Sequence, residues 1–579
     1  MASFTTVQSG DWDDPATWGE ATDYPSVNTG DTVTINNGYD VTYNIDNSSG
    51  NAIAYINITG TGSSLIMDDT MDTYLKMAQT SSNENIDMSG DTNFLIGTSG
   101  SPLSSSYTCT IEGSSLAANG YGIINNTNNG LVAWYGAEKT HKGLTTSLIS
   151  ASGTSFTMSS VPADWAADDE LAILPTGNTY SETDYVSITS IVSNTVNIDA
   201  TTYSHLSGAI VLNLTRNIIL KGGATAPKNG LGGGNSSFIL EYVRIQDIRS
   251  SNSTSEGALA CANQGIEDRD YSMTGLVVTD NMSAGMVGAN GTGTHEKSIF
   301  INNYSGVHGQ NDWGYYKFND CFFVDNNVDG LSSESRGAGQ VSNSVICGNA
   351  DDGMVAVRGT WLLLNTQIYA NNDYGLDIES CLVEAHGCLF GESDIGTQRN
   401  GDADLNHYQG GILRSNDCKF SSLDEWDVSS HNGQTAVHSN YQQTEDNYKC
   451  LFLTRGQDMV TIEDDTTTYR TTSPSLKFAN GAYLGDAYHK IPIKVDSGDV
   501  VSASVYGKKS SSTGWEHNPT CRMIGCGIDD SDTFDDADVN WNQKTLSGTA
   551  SRGGVVTFFV FAGDASNDFN IDDFEVSIT

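Results

Sequence analysis

The sequence predicts an all-β chain: a right-handed parallel β-helix with an N-terminal cap region and a C-terminal antiparallel β-sandwich of jelly-roll type. Three observations predict it. Apolar residues almost nowhere recur at helical spacing, whereas short alternating runs such as DTVTINNGYDVTYNI and DYVSITSIVSNTVNI recur between Asn, Gly, Asp and Ser. The middle of the chain repeats: TDNMSAGM, INNYSGV, VDNNVDGL, GNADDGM and ANNDYGL align on Gly285, Gly306, Gly330, Gly353 and Gly375, which are 21, 24, 23 and 22 residues apart. Beyond about Tyr441 the alternating strands lengthen and the period stops.

A repeat of this length with strands of a few residues marks coils that cannot bury an apolar face alone and must stack on the next coil. Asn281, Asn302, Asn326, Asn349 and Asn371 each stand four residues before an aligned glycine. They predict a ladder of side-chain amides bonded from coil to coil. The glycines are expected to supply the positive φ that turns the chain into the next strand. Before each Asn comes an apolar strand: GLVV, SIFI, CFFV, SVIC, QIYA, with CLFG and CKFS continuing less regularly. Cys321, Cys347, Cys388 and Cys418 fall in these strands and read as small interior side chains. Four segments follow in order: an N-terminal β region over 1–130, a β region leading into the helix over 131–225, the coils over 226–440, and the sandwich over 441–579.

The opening stretch carries Trp12, Pro15, Thr17, Trp18, Gly19, Pro25, Gly30, Asp31, Val33, Ile35 and Gly38. A second stretch carries Trp165, Asp169, Thr176, Tyr180, His205 and the run Leu214-Thr215-Arg216-Asn217-Ile218. Over residues 8 to 225 the chain resembles the eight-glycine ("G-eight") domain of fibrocystin-like proteins and cell-migration-inducing hyaluronidases. The resemblance implies a scaffold that precedes and begins a right-handed parallel β-helix, and it transfers no catalytic residue. It also implies that Trp12 and Trp18 cap the open end of the helix. The end of the chain, Ile571-Asp572-Asp573-Phe574-Glu575-Val576, resembles jelly-roll carbohydrate-binding modules. The order of parts resembles bacteriophage tailspikes and tail fibres.

With 27 Lys+Arg against 71 Asp+Glu, the net charge of −44 repels phosphate backbones and anionic membranes. Nucleic acid and membrane insertion are therefore not expected. No apolar run approaches a membrane span, and MASFTTVQSG has neither a basic n-region nor an apolar h-region, so release by host lysis is expected. Walker, HExxH and G-x-S-x-G motifs are absent, which leaves any catalysis to carboxylates.

Alternation after the aligned glycines places His308, Gln310, Glu334, Asp377 and Glu379 on one outward face. With rungs about 4.8 Å apart, Glu334 and Glu379 are expected at roughly 9–10 Å and Asp377 and Glu379 at roughly 6–7 Å. Such separations suit an acid and a base flanking a glycosidic bond. The same acids also suit a solvated acidic face. Trp515, Trp541, Tyr483 and Tyr488 are the sugar-stacking candidates. Asp572 and Asp573 are candidates for structural Ca2+, and the acidic run Asp529 to Asn540 reads as a loop rich in oxygen ligands. The expected function is a virion protein of tailspike or tail-fibre type, a homotrimer that binds host surface polysaccharide and meets other virion proteins. The alternatives are a polysaccharide hydrolase or lyase acting from the β-helix face and a bacterial surface adhesin.

Overall fold

The computed structural model describes residues 2–420 apart from 79–83, 114–121, 129, 224–229, 234–236, 249–252, 263–269, 290–291, 310–314, 334–337, 358, 380, 394, 402, 409–411 and 417. Beyond 420 it describes 436–437, 452–453, 461–465, 475–479, 488–495, 498–510, 515–517, 519–525, 528–534, 540–551, 554–561, 564–565 and 569–578. Two compact units emerge: 1–377 with 387–404 and 419–421, and 378–386 with 405–418 and 422–579.

The first unit is a parallel β-helix. From the coil that begins at Tyr55–Thr59 onward, each coil contributes one strand to each of three parallel sheets, as in Ser305–Gly309, Tyr315–Asn319 and Phe322–Val324. Parallel pairing begins at Ser3–Thr5, which stacks on Thr32–Ile35. The segment 1–130 is therefore already coiled, and the expected start of the coils at 226 is corrected to the beginning of the chain. The sequence hides this because the early coils lack the Asn-and-glycine corner that made the later ones visible. Trp12 and Trp18 are buried beside Tyr43, edge to face at 5.3 and 5.0 Å, and their indole N–H groups donate to Pro25 O and Trp12 O.

Residues 142–213 form a six-stranded antiparallel sheet inserted into one coil. The chain leaves after the second-sheet strand Leu131–Tyr135 and returns at the third-sheet strand Ile218–Gly222, which stacks directly on Cys109–Gly113. The insert has its own core around Phe156, Trp165, Ile188 and Val211. Its outer residues Ala172, Leu174, Leu212 and Leu214 pack on Val277, Ile299, Ile301, Phe322, Val324, Val345, Cys347 and Tyr369. Over Val277–Thr279 to Val345–Cys347 the third sheet is thus buried on both faces, which explains the unbroken apolar strands there. Inserted residues Asp169 and His205, part of the family-like pattern, are buried. Asp169 binds Lys139 at 2.7 Å and Asn213 at 2.9 Å, and His205 lies between Asp184 and the carbonyl of Leu174.

The second unit holds the parallel pair Leu382–His386 and Ile412–Asn416, together with antiparallel sheets. One is ordered Thr461–Asp465, Ser475–Ala479, Phe569–Ile578, Val500–Lys509, Asn542–Thr549; the other is Tyr488–Val495, Gly554–Phe561, Thr520–Gly525, Ile528–Thr533. Phe534 meets Phe569 at 5.2 Å, and Ile528 lies against Gly548, so the two sheets face each other as a sandwich.

Candidate functional site

The corner between the third and first sheets concentrates the polar chemistry. Five successive coils turn there on a left-handed residue: Asp280, Asn302, Asp325, Gly348 and Ala370, with φ between 52 and 71°. The next residue is a buried asparagine, and these form one ladder: Asn281 donates to Asn303 at 2.7 Å, Asn303 to Asn326 at 3.3 Å, Asn326 to Asn349 at 2.9 Å, Asn349 to Asn371 at 2.8 Å and Asn371 to Asn400 at 2.9 Å. Asn303 replaces the expected Asn302, which sits half-buried at the turn. None of the five aligned glycines has a positive φ. They are required instead by close approach: a Cβ on Gly330 would lie 2.7 Å from Asn349 Nδ2 and 2.7 Å from Gly353 O, and one on Gly353 would lie 2.5 Å from Gly375 O.

Between ladder and glycine, successive coils place Asp329, Asp351, Asp352 and Asp373. Carboxylate oxygens of Asp351, Asp352 and Asp373 all lie within 4.8 Å of one another. Stacking does this, because Asp373 N donates to Asp351 O and Asp351 N to Val328 O. Asp352 is 8% exposed and accepts from Tyr374 N at 2.9 Å. Burial, then the charges of Asp329, Asp377 and Asp351, push its carboxyl up to about 9. Burial, then the charge of Asp351, pushes Asp329 up to about 7. Burial raises the Asp351 carboxyl as well. A cluster of carboxyls held above their ordinary range is a candidate acid–base arrangement, and the same oxygens can hold a hard cation.

The predicted residues fall as follows. Asp377 is half-buried at the end of the first unit, within electrostatic reach of this corner. Glu379 is half-buried and belongs to the second unit, and Glu334 lies outside the described residues. His308, expected at the surface, is 2% exposed. The acids at 329, 351, 352 and 373 are the residues sequence reasoning missed. Their signal was present in VDG, DDG and NDYG, at almost the same place in three successive repeats.

In the second unit, Trp541 is half-buried next to the strand Asn542–Thr549. Trp515 and Tyr488 lie on strands Trp515–His517 and Tyr488–Val495; their side chains, and Tyr483 altogether, lie outside the described residues. Asp572 and Asp573 lie on Phe569–Ile578, with Asp572 opposite Tyr506, and their side chains likewise lie outside. The expected acidic loop begins instead as the strand Ile528–Thr533, hairpinned with Thr520–Gly525. Asp530 there accepts from Ser547 N at 3.1 Å, and Asp532 meets Lys544 at 3.8 Å.

The second sheet is open where the third is covered. Ser272, Thr294 and Lys317 are exposed and stand in register with half-buried Gln340 and Leu362 on successive coils. Their partners in alternation, Met273, His295, Phe318, Val341 and Leu363, point inward and are buried.

No protein-family profile and no curated protein sequence matches the chain. Among solved structures, it is similar to the tailspike protein gp49 from Pseudomonas phage LKA1 at 10% identity, over 94% of this chain and 90% of that one, with a TM-score of 0.23. The Azotobacter vinelandii mannuronan C-5 epimerase AlgE4 A-module is similar at 9% identity, over 71% and 96%, with a TM-score of 0.24. The CBM22-1 xylan-binding domain from Paenibacillus barcinonensis is similar at 16% identity, over 22% and 83%, with a TM-score of 0.17.

Proposed function

We propose that this chain is a spike- or fibre-type component of a phage particle that binds polysaccharide on the host surface. The observation that carries the reading is the uncovered outer face of the second sheet. There Ser272, Thr294, Lys317 and Gln340 offer a hydroxyl, a hydroxyl, an ammonium and an amide at regular rungs, a linear polar ladder suited to an extended, hydrogen-bonding chain. The order of parts, a capped β-helix followed by an antiparallel sandwich, supports a virion role, and a homotrimer is part of the same proposal. In the sandwich, Trp541 with Trp515, Tyr483 and Tyr488 is the proposed stacking platform, and Asp572 and Asp573 the proposed Ca2+ ligands.

The test is binding of the full chain to purified host capsule and lipopolysaccharide. Lys317→Glu with Thr294→Asp places two carboxylates on the open face and is expected to weaken binding to an acidic polysaccharide at least tenfold. Unchanged binding by that double variant, with Trp541→Ala also silent, would remove both surfaces.

A second reading, polysaccharide cleavage, is favoured by one feature: the raised carboxyls of Asp352 and Asp329 beside the clustered oxygens of Asp351 and Asp373. It predicts new reducing ends or unsaturated sugars from the same polysaccharide, lost in Asp352→Asn. Binding without cleavage by the unaltered chain leaves the spike reading standing and removes the enzyme.

A further inference from the structure

We infer that His295 is an acid-triggered weak point in the middle of the coil stack. It occupies the inward column of the second sheet, where Leu240, Met273, His295, Phe318, Val341 and Leu363 succeed one another in register, and it is the only polar member of that run. The imidazole is fully buried. It stacks on Phe318 at 4.9 Å and 22°, and meets Phe300 edge to face at 5.7 Å. Neither ring nitrogen has a hydrogen-bond partner among the described residues.

Among the described residues, nothing faces this ring that would pair with a proton on it. On its own strand, Glu296 is exposed and Lys297 lies at the turn beyond it. From the next coil, Tyr316 points inward from the neighbouring column, Lys317 points outward, and Asp320 stands past the strand's end, bound to His141 and Lys142 of the insert. From the preceding coil comes Tyr271. The thiol of Cys321 donates to the carbonyl of His295 at 3.4 Å, not to its ring, and burial pushes that thiol up to about 12. The third-sheet strand Ile299–Ile301 adds only apolar groups. Burial accordingly holds the imidazole down to about 3.

The coil cannot yield by a small shift. In the adjacent column Gly293 lies under the ring of Tyr316, where even a Cβ would come within 2.6 Å of it, so the layers above and below are already in contact. Protonation must therefore open the coil to water. The sign is fixed by the depressed value: the unfolded chain takes the proton near 6.5 and the closed coil does not. Stability from this group is complete above that pH. Below it, each unit of pH multiplies the opening equilibrium by about ten until the ring titrates in place near 3.

The experiment is amide hydrogen exchange on the full chain between pH 7.5 and 4.5, corrected for intrinsic exchange. Strands Thr292–Glu296, Tyr315–Asn319 and Ile299–Ile301 are expected to lose about a hundredfold protection over two pH units below 6.5, while Thr32–Ile35 keeps its own. His295→Met, which repeats the residue of the coil before, should abolish the local loss; His295→Phe is the second variant should Met pack poorly. An equal loss in a folded apolar variant, or no local loss in the unaltered chain, overturns the inference. A histidine C2-proton resonance titrating near 6.5 at this position in the closed protein would overturn it too.

Discussion

The second and third sheets are built from the same coils and the same backbone pairing, yet one faces water and the other does not. In the third sheet from Val277–Thr279 to Val345–Cys347, residues on both sides of each strand are buried, the inner ones against the helix interior and the outer ones under the insert. In the second, burial alternates, and Ser272, Thr294 and Lys317 stand exposed beside buried neighbours. The corners follow the same division. Beside the covered sheet runs the buried Asn281–Asn400 ladder. At the opposite corner Asn343 donates to Asn319 at 2.9 Å and Asn365 to Asn343 at 3.4 Å, and both bonds are exposed. A parallel sheet is stable only when what covers it suits its strands, so the cover is part of the sequence pattern.

The rim around the insert sharpens the point. His141 and Lys142 reach Asp320, Tyr185 OH donates to Asp325 at 2.7 Å, Arg244 pairs with Glu170, and Gln398 donates to Pro175 O at 2.9 Å. These bonds fix orientation, while the apolar layer beneath supplies the larger part of the stabilisation.

Two pairs of substitutions test the division, in descending order of effect. Phe322 lies on the outer side of the third sheet, under the insert and beneath Lys142. Phe322→Ala is expected to cost about 3–5 kcal/mol, as a core truncation does, whereas Lys317→Ala on the open sheet should stay within about 0.5 kcal/mol. Denaturant midpoints compare the two, and a cost at Phe322 no larger than at Lys317 would mean the insert does not seal this face. Next, Asn326→Ala strips bonds from Asn303, Asn349 and Phe300 O, and should cost about 1–3 kcal/mol. Asn343→Ala, in the exposed series, should cost well under 1 kcal/mol. Equal costs would place the two corners on the same footing.

A separate effect depends on pH. Asp352 holds its proton in the folded state to about 9 but loses it near 4 when unfolded, so the stability it contributes is complete below about 4 and drains as pH rises through 9. Asp329 adds a loss of the same sign up to about 7. Asp352→Asn should therefore melt above the unaltered chain at pH 8 and with it at pH 4. Coincident melts at both values would show that the corner is relieved by a bound cation or by water.

Legibility in the sequence followed locality. The coil repeat was legible because each coil meets the same neighbour in the same way, so Met286, Val307, Leu331 and Met354 recur at one register position and all point inward. The early coils were not, because Val33, Ile56 and Ile86 stack equally well without a repeated corner to mark them. The glycines were recognised but their reason was mistaken. A tight turn and a close approach both exclude a side chain, and only the neighbouring coil tells them apart.

By itself the sequence determined the coil: alternating strands, an amide at one corner, and glycine four residues on, all set by contacts that repeat at short range. The tertiary structure decided what depends on residues far apart in the chain. It laid 142–213 over strands far along the chain, from Val277 to Tyr369, chose Asn303 over Asn302 for the ladder, and brought Asp351, Asp352 and Asp373 together with Asp329 in electrostatic reach. Charge and cover act through space between stacked coils, so neither can be read along a single strand.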